Sequence, residues 1–326
     1  MSFATIYGHH RQISMLERSI AQQRVGHAYL FSGLEGIGKK TLALAFAQTL
    51  NCENPVEHKD ACGQCPPCRK LLSGNHPDVH QVSTERQFLR IDDVRQIQNQ
   101  MTFKPLDGRL RIVIIDDADK MNEQAANALL KTLEEPTSSN VLILISARPY
   151  WLPQTVLSRC RHLRFNPLPA DLVARYLVDH LSMAMERARL LANLSGGSIA
   201  KALDLNTEEM TAYRGEFTAR VAATTQADPM SLIALASFLG QDKNDIRHNL
   251  GMLNAIFRDA LIYKETQNVQ MVTNSDCLDL IASLAARLDG ERMLQNIAQV
   301  TRSMETLEMN VNKSLTLEAM AFKLHL

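Results

Sequence analysis

The 326-residue chain has no excess of either charge: 35 lysines and arginines face 35 aspartates and glutamates. Proteins that bind nucleic acid on their own are usually basic overall, so any DNA contact is expected to be local or shared with partners. No apolar run approaches the length of a membrane span. The longest, "IVII" and "VLILI", are the size of strands. The opening "MSFATIYGHHRQISMLERSI" has no basic start followed by an apolar stretch, so it does not read as a signal peptide. Sequence repeats and low-complexity tracts are lacking too. These absences predict a cytoplasmic protein with no membrane partner. That compartment is reducing, so the six cysteines are expected as metal ligands or buried thiols rather than disulfides.

The length allows two or three domains with real cores. From 27 to 165, short aliphatic strands alternate with helical stretches, a pattern that predicts a parallel sheet covered on both faces. "HAYLFSG", "RIVIID" and "NVLILIS" read as strands; "TLALAFAQTLN", "IDDVRQIQNQM" and "NEQAANALLKTLEEP" read as helices. Residues 52–76 form an insert rich in Cys, Pro and Gly, without clear periodicity. "NPLP" then breaks the chain, and strands vanish. The expected division is 1–166 (α/β, with the insert), 167–208 (small helical) and 209–326 (larger helical). In the last, Ile246, Leu250, Leu253, Phe257 and Leu261 make one apolar stripe, and Leu294, Ile297, Met304 and Leu307 another.

"GLEGIGKKT", residues 33–41, has nearly the spelling of a phosphate-binding loop, and it sits between a strand and a helix as that motif requires. Gly33, Gly36 and Gly38 let the backbone close tightly so that successive N–H groups face phosphate oxygens. Lys39 would reach the terminal phosphates. The next position should be a hydroxyl that ligates Mg2+, but it is Lys40. A charged ammonium has no lone pair and repels a cation. Thr41 follows, turned by roughly 100° around the helix. The loop leaves ATP or ADP binding open and argues against Mg2+.

"RIVIIDDADKM" ends a strand in carboxylates, where a nucleotide-binding sheet places its second magnesium contact. Asp116 is the candidate. Asp117 stands where ATP-hydrolysing proteins usually carry a Glu, and Asp119 is expected to cap the following helix.

Cys52, Cys62, Cys65 and Cys68 are separated by nine, two and two residues. Such gaps let thiolates turn onto one ion, and four thiolates with no open position describe a structural Zn2+ site. An iron–sulfur cluster is the rival, but the bacterial form of that run has a fourth Cys followed by Pro, which is missing here. Four cysteines make His58 and His76 unnecessary. Cys160 and Cys277 read as isolated buried thiols. A DNA-reading finger would need projecting basic side chains, and the insert is not notably basic.

Taken together, the loop, the four-cysteine insert just after its helix, "NEQAANALLKTLEEP", "LSRC" at 157–160 and the final "NVNKSLTLEAMAFKL" resemble the clamp-loader branch of the AAA+ ATPases. The resemblance runs over essentially the whole chain. It implies an AAA+ P-loop α/β domain with a zinc module, a small helical lid domain and an all-α collar domain. It also singles out Arg159 among the arginines of "RCRHLR", as a finger reaching into the neighbouring subunit's ATP site. A guanidinium is permanently charged and forks onto phosphate oxygens. The implied partners are the gamma/tau motor subunits and the delta subunit, a sliding clamp contacted indirectly, and primed DNA through the assembled complex. The start of "RIDDVRQ", with Arg95, would lie near the duplex backbone.

Departures from the motor pattern set the expected subtype. Lys40 replaces the hydroxyl and Asp117 the Glu. Only Ser146 remains as a polar sensor beside Ala147, and Ala200 stands where motors carry an Arg. Four losses in one functional set imply a non-motor subunit of the bacterial DNA polymerase III clamp loader, with intrinsic ATPase absent or very weak. The alternative, suggested by the intact Gly38–Lys39 pair, is an ATP-hydrolysing motor that tolerates Lys40.

Overall fold

The structure, a computed structural model, describes residues 2–57, 59–83, 88–309 and 311–326. Of the residues quoted above, Met1, His58 and Asn310 lie outside these. The chain divides into two compact units, residues 1–182 with 196–201, and residues 183–195 with 202–326.

The first unit carries α1 (His10–Ala21), β1 (Ala28–Ser32), α2 (Lys39–Leu50), α3 (Pro66–Leu72), β2 (Val79–Val82), α4 (Ile91–Met101), β3 (Arg111–Ile115), α5 (Glu123–Glu134), β4 (Asn140–Ser146), α6 (Gln154–Leu157), β5 (Arg161–Arg164) and α7 (Ala170–Leu181). The strands form one parallel sheet in the order β2-β3-β4-β1-β5. Alternation along the strands builds a core on each face. Tyr29, Phe31, Ile112, Ile114 and Ile143 join α1 and α2 on one side. Leu30, Val113, Ile115, Leu142 and Leu144 join α4 and α5 on the other. β1, β3 and β4 are buried along their whole length, which is why they read as unbroken aliphatic runs.

Two elements escaped the sequence reading. β2, "VHQV", is a partly exposed edge strand with two polar residues, too short to carry a pattern. α3 lies inside the insert and starts with two prolines at positions that tolerate them. Just before β2, the fully buried Asp78 accepts hydrogen bonds from the backbone N–H groups of Leu106, Asp107 and Gly108, each at 2.8 Å, and from Arg111 Nη2 at 3.0 Å. Arg111 in turn donates to the carbonyls of Gln100, Phe103 and Lys104. This pair closes the connection from α4 to β3.

The second unit is helical among the described residues: α8 (Met185–Ser195), then the end of α9 (Ile199–Asp204), then α10 (Glu208–Ala223), α11 (Pro229–Phe238), α12 (Lys243–Thr266), α13 (Leu278–Arg287), α14 (Gly290–Glu308) and α15 (Lys313–Ala321). Ile246, Leu250, Leu253 and Phe257 of α12 are buried as the stripe predicts, together with Ile281, Leu284 and Met320. Each such side chain contributes about 1.5–3 kcal/mol by leaving water. In α14, Leu307 is buried and Ile297 and Met304 pack against the same core as the stripe predicts, joined by the buried Met293 and Val300. Leu294 departs from expectation and is 56% exposed.

Candidate functional site

β1 runs straight into the loop, and α2 begins at Lys39 with Gly38 as its N-cap. Gly33 and Gly36 have φ of +150° and +72°. A Cβ at Gly33 would fall 2.4 Å from Phe165 O, and one at Gly36 would fall 2.4 Å from Ser198 Oγ and 2.6 Å from Ala200 Cβ. Only glycine fits either place, so the motif is spatially intact. Ala200 N also donates to Gly36 O at 3.2 Å. Ala200, expected where motors carry an Arg, puts its methyl group against the loop.

The two lysines have different partners. Lys39 is buried, and its Nζ donates to Gly33 O and Leu34 O, both at 2.6 Å. Burial pushes its pKa down, while Asp116 and Glu35 pull it up. Lys40 Nζ lies 3.1 Å from Asp116 Oδ2. The ammonium that displaced one expected magnesium ligand therefore sits on the carboxylate expected as the other. Thr41 is exposed one step further along α2. Asp117 has φ of +51° and pairs with Lys120 at 2.8 Å.

Asp119 does not cap α5. That role belongs to Asn122, whose side chain accepts from Ala125 N at 2.8 Å. Asp119 is buried, and its carboxylate braces the end of β4. Oδ1 accepts from Ser146 Oγ at 2.8 Å and from Ala147 N at 3.2 Å, and Oδ2 from Arg148 Nε at 3.0 Å. Burial opposes its charge, but these donors prevail and lower its pKa. Ser146 is thus engaged by Asp119. His9, which no motif marks, donates from Nε2 to Ile37 O at 2.7 Å and ties the N-terminal segment to the loop.

Arg159 follows α6. Its Nη2 lies 2.8 Å from Glu134 Oε1 at the end of α5, and Nη1 donates to Thr155 O at 3.0 Å. Both side chains of the ion pair are partly exposed. Sequence spacing gave no sign of Glu134 as its partner.

The ligand atoms of Cys52, Cys62, Cys65 and Cys68 all lie within 4.8 Å of one another. Four sulfurs at ~2.3 Å from one ion stand about 3.8 Å apart, and Cys52 Sγ and Cys65 Sγ are 3.9 Å apart. All four are free thiols. Cys62 Sγ accepts from the N–H groups of Gln64 and Cys65, both at 3.4 Å, and these lower its pKa to about 6. Burial pushes Cys68 up to about 12, so a cation would have to displace that proton. The donor set, its closure and its dimensions fit a tetrahedral metal such as zinc. His76 instead receives Asp78 N on Nδ1. Of the isolated thiols, Cys277 is buried and Cys160 only partly so.

At the start of α4, Asp93 accepts from Arg90 N at 2.9 Å and Asp92 pairs with Arg95 at 3.5 Å. The acidic side chains occupy the helix N-terminus expected to face phosphate. Among the described residues no helix is long and apolar enough to cross a membrane.

Residues 8–169, which hold the loop, the cysteines and Arg159, match the family described as "DNA polymerase III, delta subunit". Residues 208–325 match "DNA polymerase III, delta subunit, C terminal". DNA polymerase III subunit delta' of Bacillus subtilis is 30% identical over 93% of this chain and 92% of its own. The chain belongs to the DNA polymerase III delta-prime family. The Escherichia coli delta' subunit is 31% identical over 89% of this chain and 86% of its own length. The tau subunit of the same species is 30% identical over 66% of this chain but only 34% of its own length, so the chain spans about a third of tau. As a delta-prime family member it keeps the glycines and Lys39 of the loop, while Lys40 stands on Asp116.

Proposed function

We propose that this protein is a non-motor subunit of the DNA polymerase III clamp loader, and that its chemical contribution is made at a neighbour's ATP site. The observation that carries the reading is the Lys40–Asp116 ion pair at 3.1 Å. It sets an internal cation where a motor holds Mg2+, and Mg2+ is what neutralises the developing charge on a transferred phosphoryl group. Lys39 bonded to loop carbonyls, Ser146 bonded to Asp119 and Ala200 packed on Gly36 all support it.

In this reading residues 1–166 are a rigid AAA+ domain, 167–208 a lid and 209–326 the collar that joins gamma/tau-type motor subunits and delta. Arg159 reaches the triphosphate bound by the adjacent motor. The four cysteines hold a structural Zn2+ that fixes the insert against α2. Primed DNA and the sliding clamp are met through the assembled complex. Clamp loading acts on the bacterial chromosome, so the protein works in the cytoplasm. An arginine finger supplied in trans is worth roughly 10³–10⁵ in rate. Reconstitution of the complex with Arg159→Ala is therefore expected to lower the DNA-stimulated ATPase of the site it faces by orders of magnitude and to impair clamp loading. Unchanged turnover and loading would sink the trans role. Turnover by the isolated chain at ordinary motor rates would favour the gamma/tau-like alternative.

A further inference from the structure

Arg159 is not free to point at a distant phosphate. Glu134 holds Nη2 at 2.8 Å, and the carbonyl of Thr155 takes Nη1 at 3.0 Å. The two anchors come from different elements. Thr155 is in α6, one turn before the arginine, and Glu134 is the last residue of α5. α5 is fixed by Ala125, Ala126, Leu129 and Leu133, which are buried against the sheet. The carboxylate therefore stands at a defined place on the surface, with its side chain 51% exposed.

We propose that Glu134 is the resting counter-ion of Arg159, exchanged for the terminal phosphate of a nucleoside triphosphate when the adjacent subunit docks. This rests on the trans reading of Arg159 above. A guanidinium keeps its charge at every accessible pH, so protonation cannot switch it. What can change is the anion it faces. A carboxylate and a phosphate both present oxygens to the same N–H edge, and they compete for it. Solvent-exposed pairs of this kind are weak, so release from Glu134 costs at most about fivefold in affinity. The exchange is therefore easy, and the arginine stays ordered before docking. Glu134 is a positioning residue and touches no substrate.

The experiment uses the reconstituted complex with DNA and Mg-ATP. Glu134→Gln keeps the shape and the acceptor oxygen but removes the charge. The KM for ATP is expected to fall two- to fivefold at low salt with kcat unchanged, and the difference to fade as salt rises. The change should vanish when Arg159→Ala is also present, which a merely structural role for Glu134 would not produce. If Arg159→Ala lowers turnover but Glu134→Gln leaves KM and its salt dependence as in the parent, or raises KM, the counter-ion proposal is overturned while the trans finger stands. If Arg159→Ala itself changes nothing, the trans reading fails and the proposal with it.

Discussion

Replacing Lys40 by Thr should convert the loop from metal-repelling to metal-binding. The substitution removes an ammonium 3.1 Å from Asp116 Oδ2 and restores the hydroxyl that the motif calls for. A Mg2+ ion seated on Asp116 would lie roughly 4 Å from that ammonium. Even at the dielectric constant of water, the repulsion between them is about 2 kcal/mol. That corresponds to roughly 30-fold in affinity. It is a lower bound, because Asp116 is only 25% exposed and the local dielectric is lower than that of water. Loss of the ion pair itself should cost under ~1 kcal/mol of folding stability, since Lys40 is 44% exposed. The assay is binding of a fluorescent nucleotide to the isolated chain across a Mg2+ titration, with Lys40→Ala alongside. The Ala variant gains the electrostatic part and the Thr variant the ligand as well. The parent is expected to bind no better with Mg2+ than without it. If Lys40→Thr melts like the parent and shows the same indifference to Mg2+, the view of Lys40 as the metal's replacement is wrong.

Two further outcomes test the framework around the site. Asp78 is held at a pKa of about 2, because three backbone N–H groups and Arg111 outweigh the burial that would raise it. A folded pKa below the unfolded value gives stability that is present above about pH 4 and is lost as pH falls toward 2, here roughly 2–3 kcal/mol. Urea midpoints followed from pH 5 to 2 should fall less steeply for Asp78→Asn than for the parent; parallel curves would refute the assignment. At the cysteine cluster, purified protein should carry about one zinc per chain, and chelation or Cys68→Ser should loosen the insert, in which Cys52, Cys65, Cys68 and Ala61 form one buried cluster with Cys62 against it. Elemental analysis finding iron, or no metal in protein purified without chelator, would overturn it.

Much of the first unit was legible because its signals are redundant. β1, β3 and β4 are buried on both faces, so their aliphatic runs stand out, and the loop's glycines cannot be replaced where they sit. The clustering of the four cysteines was legible because gaps of two residues bring neighbouring thiols to one place. What stayed hidden depends on residues far apart in the chain. Asp78 with Arg111, Ser146 with Asp119, and Glu134 with Arg159 are separated by 33, 27 and 25 positions, and no local pattern links them. The capping of α5 was misread for a related reason. Asp119 and Asn122 both carry capping side chains, and only the 3-10 turn at Ala118–Lys120 decides which one faces the helix.

On the proposed non-motor reading, the charges of the site account for a loop that persists without a motor's chemistry. A phosphate loop stripped of nucleotide leaves an inward-facing ammonium and a carboxylate at a strand end. Either would be costly if left half-buried and unpaired. This chain answers each from within: Lys39 goes to two carbonyls, Lys40 to Asp116, and Asp119 to Ser146 and Arg148. The result is a strand–loop–helix joint braced by the chain's own groups. That is what a subunit needs if it is to hold an arginine steady for another subunit's ATP. Arg159 follows the opposite rule. Its partner sits at the surface, where the pair is weak and water can help exchange it. If Arg159 acts in trans as proposed, the dense internal bonding around the loop and the exchangeable partner of Arg159 are two halves of one division of labour, and the second half only works if the first holds.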